Sequence, residues 1–165
     1  MPRKHPVRDP IGTYMRKATA ERRVGVDARC ACGEKRPEAL IPQSNPIICA
    51  QCNRKIKGQT PLDKHHVAGE ANSPVTITVP VNDHRARLSV DQYDWSKNTL
   101  ENPDGSPLLA AAAHISGYSD CTSYLNEKLL AKNPELLELL DAFLREKFGP
   151  RWWHNTELER FKPER

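Results

Sequence analysis

The sequence predicts an α+β protein, and three observations carry that prediction. Four of the five cysteines fall into two tight pairs in the first third of the chain. A segment of alternating apolar residues follows, with histidines on both sides of it, and the last third carries leucines at helical spacing. We expect a basic N-terminal arm with a short helix over residues 1–28, the cysteine and histidine elements over residues 29–95, and a C-terminal helical extension over residues 96–165.

The charge of the chain is unevenly distributed. Its 165 residues hold 25 Lys+Arg and 21 Asp+Glu, but residues 1–60 carry a net charge of +8 and residues 61–165 a net charge of −4. A basic front half suits a nucleic acid partner, and the alternative is a solvated tail of mixed charge. The proline-rich, basic residues 1–9 are expected to be disordered.

Hydropathy gives no indication of a membrane-spanning or a secreted protein. No apolar stretch approaches the length of a membrane span, and no apolar core follows the basic N-terminus as in a secretory signal. We therefore expect a cytoplasmic protein without a membrane partner. Cysteine pairs in a reducing compartment indicate metal binding before disulfides.

The cysteine pairs predict a structural zinc site. Cys30 and Cys32 form a C-x-C pair followed by Gly33, and Cys49 and Cys52 form a C-x-x-C pair. Two thiolate pairs can wrap a tetrahedral Zn²⁺, and a glycine lets the backbone approach a metal-bound sulfur. A site of four thiolates leaves no position for catalysis. The alternative is four reduced cysteines without metal.

A strand, a loop, a second strand and a helix are predicted next. Residues 75–81 alternate apolar with polar or proline side chains, as in a strand with one buried face. Residues 61–67 supply a short partner strand. Asn82 or Asp83 is a suitable N-cap, which places His84 in the first helical turn. In such a hairpin the end of the first strand and the start of the helix come close together.

The histidines in this segment resemble a known family. His65-His66, the strand and then Asn82-Asp83-His84-Arg85, behind a four-cysteine element, resemble the HNH endonuclease family over about residues 30–89. The resemblance implies a zinc-ribbon-like element followed by a ββα-metal hairpin-helix core. It also implies divalent-metal-dependent hydrolysis of phosphodiester bonds in DNA, most simply double-stranded, with Mg²⁺ or another divalent cation.

The resemblance assigns a role to each histidine. His65 and His84 would be the ligands of a single catalytic ion, and His66 the general base. A histidine with a near-neutral pKa can deprotonate water, and a divalent ion can relieve charge on the phosphate and on the leaving oxygen. Adjacent side chains on a regular strand point to opposite faces, so the assignment needs twist at the strand end.

Four further residues are candidates for supporting roles. The asparagine that fixes the base histidine in the family would fall at Val75 here, so we assign that role to Asn72 in the preceding loop, with Asn82 as the fallback. Asp63 is expected to orient the first histidine ligand. Arg85 is close enough to the second ligand to contact phosphate, or is plain surface charge.

Two helical stretches complete the chain. Ser106-Pro107 opens a stretch that Gly117 would bend or divide, and Cys121 in it is expected to be buried. A second stretch runs from Asn133-Pro134 to Gly149-Pro150. The apolar stripes of the two stretches are expected to be core, or a helical pair packed on the hairpin-helix unit, or else a homodimer or protein-partner interface. The Trp152-Trp153 pair is expected to dock onto the fold.

The alternative functional prediction places the chain in another class of protein. The same elements would suit a catalytically inactive, zinc-dependent nucleic-acid-binding or adaptor module. Other zinc chemistries fit worse, because the H-x-E…P-C-x-x-C order of nucleobase deaminases and the H-E-x-x-H run of metalloproteases are both missing from the sequence.

Overall fold

A computed structural model describes residues 10–161, so the disorder expected for residues 1–9 lies outside the described part. The chain forms two compact units, which divide between Tyr124 and Leu125. The regular elements of the first are α1 (Pro10–Val24), a 3₁₀ turn (Pro37–Ala39), α2 (Ala50–Ile56), β1 (Leu62–His66), β2 (Thr76–Pro80), α3 (Val81–Asp83), a π-helical turn (His84–Leu88), α4 (Ser89–Tyr93), α5 (Lys97–Glu101) and α6 (Pro107–Leu125), whose last residue is the first of the second unit. Those of the second are a π-helical turn (Asn126–Leu130), α7 (Asn133–Phe148) and a 3₁₀ turn (Glu157–Phe161). The predicted α+β class is confirmed.

Strands β1 and β2 form an antiparallel hairpin in which His65 lies opposite Ile77. The predicted alternation holds along most of β2, because Val79 and Val81 are buried and the threonine between Ile77 and Val79 is exposed. It fails at Val75, which lies before the first residue of β2 and is 58% exposed. The side of β2 that faces the core therefore begins at Ile77.

A helical segment follows β2 without a loop. The backbone stays helical over α3, the π-helical turn and α4, so His84 lies near the start of this segment, as expected. The predicted cap is wrong: Pro80 occupies the N-cap position and no side chain caps the helix. Asn82 and Asp83 are instead buried and bind other elements of the first unit.

Two buried clusters hold the first unit together. One lies beneath the hairpin and joins β2, the π-helical turn and α6; its members are Val79, Leu88, Cys121 and Tyr124. The other surrounds the cysteine pairs; its members are Cys30, Leu40 and Cys49. The burial of Cys121 was predicted. The division expected at Gly117 is not found, because α6 is continuous from Pro107 to Leu125.

The second unit does not show the expected apolar core. No residue of α7 is buried, and Leu137 and Phe143 are 63% and 52% exposed. Trp152 donates a hydrogen bond from Nε1 to Oδ1 of Asp141 across 2.8 Å, so this tryptophan docks on α7 as expected. The partner interface stays a prediction. None of the described helices combines the length and the apolar character needed to cross a membrane.

Candidate metal centres

The first cysteine pair lies in a tight turn. The amide of Gly33 donates to the carbonyl of Cys30 across 2.9 Å, and the amide of Cys30 donates to the carbonyl of Glu34 across 2.9 Å. Gly33 has a φ of +93°, a conformation that side chains with a Cβ rarely adopt. The turn therefore requires the glycine that follows Cys32 in the sequence.

The second pair opens helix α2. Cys49 occupies the N-cap position, and its Sγ accepts a hydrogen bond from the amide of Cys52 across 3.4 Å. An isolated antiparallel bridge between Leu40 and Cys49 anchors the strand-like segment that enters the helix. The first turn of α2 thus fixes the positions of both sulfurs of this pair.

The four sulfurs fit one tetrahedral ion. Cys30, Cys32, Cys49 and Cys52 place their Sγ atoms within 4.8 Å of one another, and the Cys32 and Cys49 sulfurs are 3.7 Å apart. Zn–S bonds of about 2.3 Å in a tetrahedron imply sulfurs about 3.8 Å apart. All five cysteines of the chain are described and none forms a disulfide.

The thiols differ in their readiness to ionise. The backbone amide of Cys32 lowers the pKa of Cys30 to about 7, against the opposing effect of burial. Burial, together with hydrogen bonds from neighbouring thiols, raises the pKa of Cys52 to about 12. Four such groups cannot all ionise side by side without a compensating cation, so the cluster is suited to a divalent metal.

The second candidate centre lies between the hairpin and the helical segment after it. The rings of His65 and His84 meet edge to face, with their centroids 5.2 Å apart. His65 is only 1% exposed, and its Nδ1 has no hydrogen-bond partner among the described residues. A buried ring nitrogen without a protein partner is the kind of atom that a metal ion would satisfy.

Burial also keeps His65 in its neutral form. Its pKa falls to about 4, first because the ring is buried and then because His84 and His66 are close. A neutral imidazole is the form that binds metal ions. At neutral pH the ring of His65 is therefore ready to act as a ligand without losing a proton.

Asp63 contacts the second histidine and not the first. His84 donates from Nδ1 to Oδ2 of Asp63 across 2.9 Å, whereas the sequence predicted that Asp63 would orient His65. Burial raises the pKa of the Asp63 carboxyl, but the bond from His84 and the charge of Arg54 outweigh it, so the net shift is downward. An ionised Asp63 fixes the proton of His84 on Nδ1 and leaves Nε2 with a lone pair.

Sequence reasoning missed Gln92. Its Nε2 donates to the carbonyl of His66 across 2.6 Å and lies 3.4 Å from Nε2 of His65. The amide of Gly69 donates to the same carbonyl across 3.1 Å. Gln92 thus holds the end of β1, where the histidine pair lies. A lone glutamine in a helix has no spacing pattern that would have revealed this role.

The other predicted site residues lie around this centre. His66 ends β1 and is partly exposed, and the ring contact between His65 and His84 does not include it. Asn72 donates from Nδ2 to the carbonyl of Thr99 across 2.9 Å, and its buried Oδ1 has no partner in the described part of the chain. The orienting role of Asn72 stays a prediction. Arg85 is exposed one residue after His84.

Comparisons of the chain with protein-family models, with curated proteins and with solved structures found no match.

Proposed function

We propose that the protein is a divalent-metal-dependent endonuclease that hydrolyses phosphodiester bonds in DNA and resembles HNH endonucleases. The observation that carries the proposal is the convergence of His65 and His84. Their ring centroids are 5.2 Å apart, and each ring has a nitrogen without a protein partner among residues 10–161. Those nitrogens are Nδ1 of His65 and Nε2 of His84.

The residues present fit one hydrolytic ion. His65 and His84 would hold Mg²⁺ or another divalent cation, and only two protein ligands leave positions open for phosphate oxygens and water. When bound, the ion supplies charge relief on the phosphate and on the departing 3′ oxygen. Asp63 supports this arrangement, because its carboxylate keeps the proton of His84 on Nδ1 and leaves Nε2 as the nitrogen that would bind the ion.

Three other side chains have roles in the reaction in this proposal. His66 takes the proton of the attacking water as general base. Asn72 orients His66 through its free Oδ1, the one polar atom of its amide that has no partner. Arg85 contacts a phosphate, as an exposed guanidinium beside the second histidine ligand can do.

The four-cysteine cluster has a separate task. Cys30, Cys32, Cys49 and Cys52 would hold a structural Zn²⁺ in a closed, four-coordinate site. The buried apolar cluster at this site is small, because its members are Leu40 and two of the cysteines themselves, Cys30 and Cys49, so metal binding would contribute to the folding of this region.

Plasmid cleavage tests the proposal. The zinc-loaded protein is incubated with supercoiled plasmid and either Mg²⁺ or Mn²⁺, beside a His66→Ala variant and a His114→Ala variant. His114 is an exposed histidine on α6 and serves as the matched control. We expect nicking by the wild type and by His114→Ala, and a loss of at least about 100-fold in His66→Ala, since general bases contribute roughly 10²–10⁴-fold. Equal cleavage by all three proteins would refute the assignment of the base.

One observation favours the inactive nucleic-acid-binding module. His65 is buried on the inner face of β1, and its neighbour His66 is partly exposed outside the ring contact. A protein that binds plasmid in the same assay without nicking it, under every divalent ion supplied, would support this alternative.

A further inference from the structure

The four-cysteine element is joined to His84 by a short chain of polar contacts. Helix α2 opens with the second cysteine pair and carries Arg54 in its last turn. Arg54 donates from Nη1 to the carbonyl of Leu62 across 2.7 Å, and its Nη2 lies 3.4 Å from Oδ2 of Asp63. The same oxygen of Asp63 accepts the hydrogen bond from His84. One guanidinium therefore holds both the backbone of β1 and the carboxylate that binds His84.

A second connection starts from the same helix. Asn82 is 4% exposed, and its Oδ1 accepts a hydrogen bond from the amide of Gln51 across 2.9 Å. Its Nδ2 donates to Oε2 of Glu34 across 3.1 Å. The first amides of a helix have no partner within it, so Asn82 caps α2 from outside. His84 follows Asn82 by two positions, so the contacts of Asn82 also hold the backbone near His84 against the cysteine element.

We propose that Arg54 and Asn82 are positioning residues through which the four-cysteine element fixes the ring of His84 for ion binding. Asn82 sets the place of the helix start that carries His84. Arg54 holds Asp63, and Asp63 holds the proton of His84 on Nδ1. The part of the inference that concerns an ion depends on the proposed function, whereas the part that concerns the ring of His84 does not.

The physical reason lies in the two tautomers of a neutral imidazole. With the proton on Nδ1, the lone pair of Nε2 is available to an ion; with the proton on Nε2, it is not. Without Arg54, the Asp63 side chain, 32% exposed, can rotate toward water, and the ring of His84 then samples both tautomers. Metal ligands commonly depend on such outer partners, whose loss weakens ion binding about 10–100-fold.

The first experiment needs no ion at the histidines. The ¹⁵N shifts of the His84 ring are measured in the zinc-loaded chain of 165 residues, in Arg54→Met and in Lys55→Met. Lys55 is the exposed neighbour of Arg54 on α2, and its replacement by methionine removes the same positive charge. We expect the Nδ1–H tautomer in the wild type and in Lys55→Met, and a mixture of tautomers in Arg54→Met. A wild-type tautomer in Arg54→Met would overturn the inference.

Zinc content is measured in each variant to show that the four-cysteine element is intact. If Arg54→Met fails to retain zinc, Arg54→Lys takes its place, because lysine keeps the charge but cannot bridge Leu62 and Asp63 with a planar fork. The same mixture of tautomers is expected with zinc bound. A single wild-type tautomer in the zinc-loaded Arg54→Lys protein would count against Arg54.

The second experiment measures the affinity for Mn²⁺ alone by electron paramagnetic resonance. We expect Arg54→Met to bind Mn²⁺ about 10–100-fold more weakly than the wild type, and Lys55→Met to bind it equally well. Asn82→Ala should lower the Mn²⁺ affinity and leave the Nδ1–H tautomer in place, since Asp63 is intact. Unchanged Mn²⁺ affinity in Arg54→Met and in Asn82→Ala would contradict the inference.

The two experiments separate the two proposals. A wild type that binds no Mn²⁺ at His65 and His84 would remove the proposed function. The tautomer of His84 in Arg54→Met would still decide whether the cysteine element orients that ring.

Discussion

Gly117 lies so close to the backbone of Val67 that a Cβ at this position would collide with the Val67 carbonyl oxygen. Trp95 also lies within 3.2 Å of the same point. The glycine therefore lets α6 cross the segment that follows β1 in direct backbone contact. This crossing supports the end of β1, because Val67 follows the histidine pair directly.

Replacement of Gly117 by alanine should destabilise the protein. Helix propensity alone would make the variant more stable by about 1 kcal/mol. The clash with backbone atoms should outweigh that gain, and we expect a net loss of roughly 1–3 kcal/mol in the free energy of unfolding. Urea unfolding measures the sign. Ser119→Ala, at an exposed position of the same helix, is the control and should change little; a stabilised Gly117→Ala would contradict the observed packing.

Replacement of Cys49 by serine should remove the ion from the four-cysteine cluster. Cys49 is fully buried and caps α2 through its sulfur, so its loss affects both the ligand set and the helix start. We expect zinc near one ion per chain in the wild type, little in Cys49→Ser, and a thermal midpoint lower by at least about 5 °C. Elemental analysis and calorimetry measure both quantities.

The control for that prediction is the cysteine outside the cluster. Cys121→Ala also removes a buried thiol, but from the core beneath the hairpin. It should keep zinc at the wild-type level, even if the thermal midpoint falls. Equal zinc contents in wild type, Cys49→Ser and Cys121→Ala would contradict the role of Cys49 as a ligand.

The elements that were predicted correctly depend on local spacing. Two cysteine pairs with a glycine after the first, and an apolar alternation of period two, need only a few neighbouring residues to be recognised. The errors come from contacts between distant positions. Asn82 is a residue type that favours the N-cap position, and it was expected to cap the helix that carries His84. Its side chain instead binds the amide of Gln51, 31 positions away. Gly117 is a residue type that often bends or ends a helix, but here it allows the close approach of α6 to the backbone of Val67.

The candidate histidine site shows the same limit. His65 and His84 were expected to approach each other, and their rings do so. Asp63 was assigned to His65 because both lie on one face of β1, yet that face points toward the helix start, where Nδ1 of His84 is the donor it meets. Arg54 and Gln92 were missed, because single polar residues on helices give no signal until the helices are packed.

The proposed function predicts that replacement of Arg85 by glutamine weakens DNA binding, because a contact to the phosphate backbone is lost. Arg85 is exposed beside His84. If it contacts one phosphate, the slope of log K against log[salt] should fall by about 1, and affinity should fall equally for unrelated sequences. Fluorescence anisotropy over a salt series measures both. Arg145→Gln is the control, because the guanidinium of Arg145 already pairs with Asp141 across 2.6 Å; equal slopes for both variants and the wild type would exclude Arg85 from the interface.

Replacement of Tyr124 by phenylalanine should remove a late step in the alkaline titration. Burial, and then the hydrogen bond that its hydroxyl donates to Asp83 across 3.0 Å, raise the pKa of Tyr124 to about 12 from the usual 10.0. A raised pKa means that the folded state favours the neutral phenol, so this contribution to stability is complete below pH 10 and is lost as the pH rises toward 12. Tyrosinate absorbance measures the step. It should persist in Tyr118→Phe, which removes an exposed ring, and its persistence in Tyr124→Phe would contradict the burial of that hydroxyl.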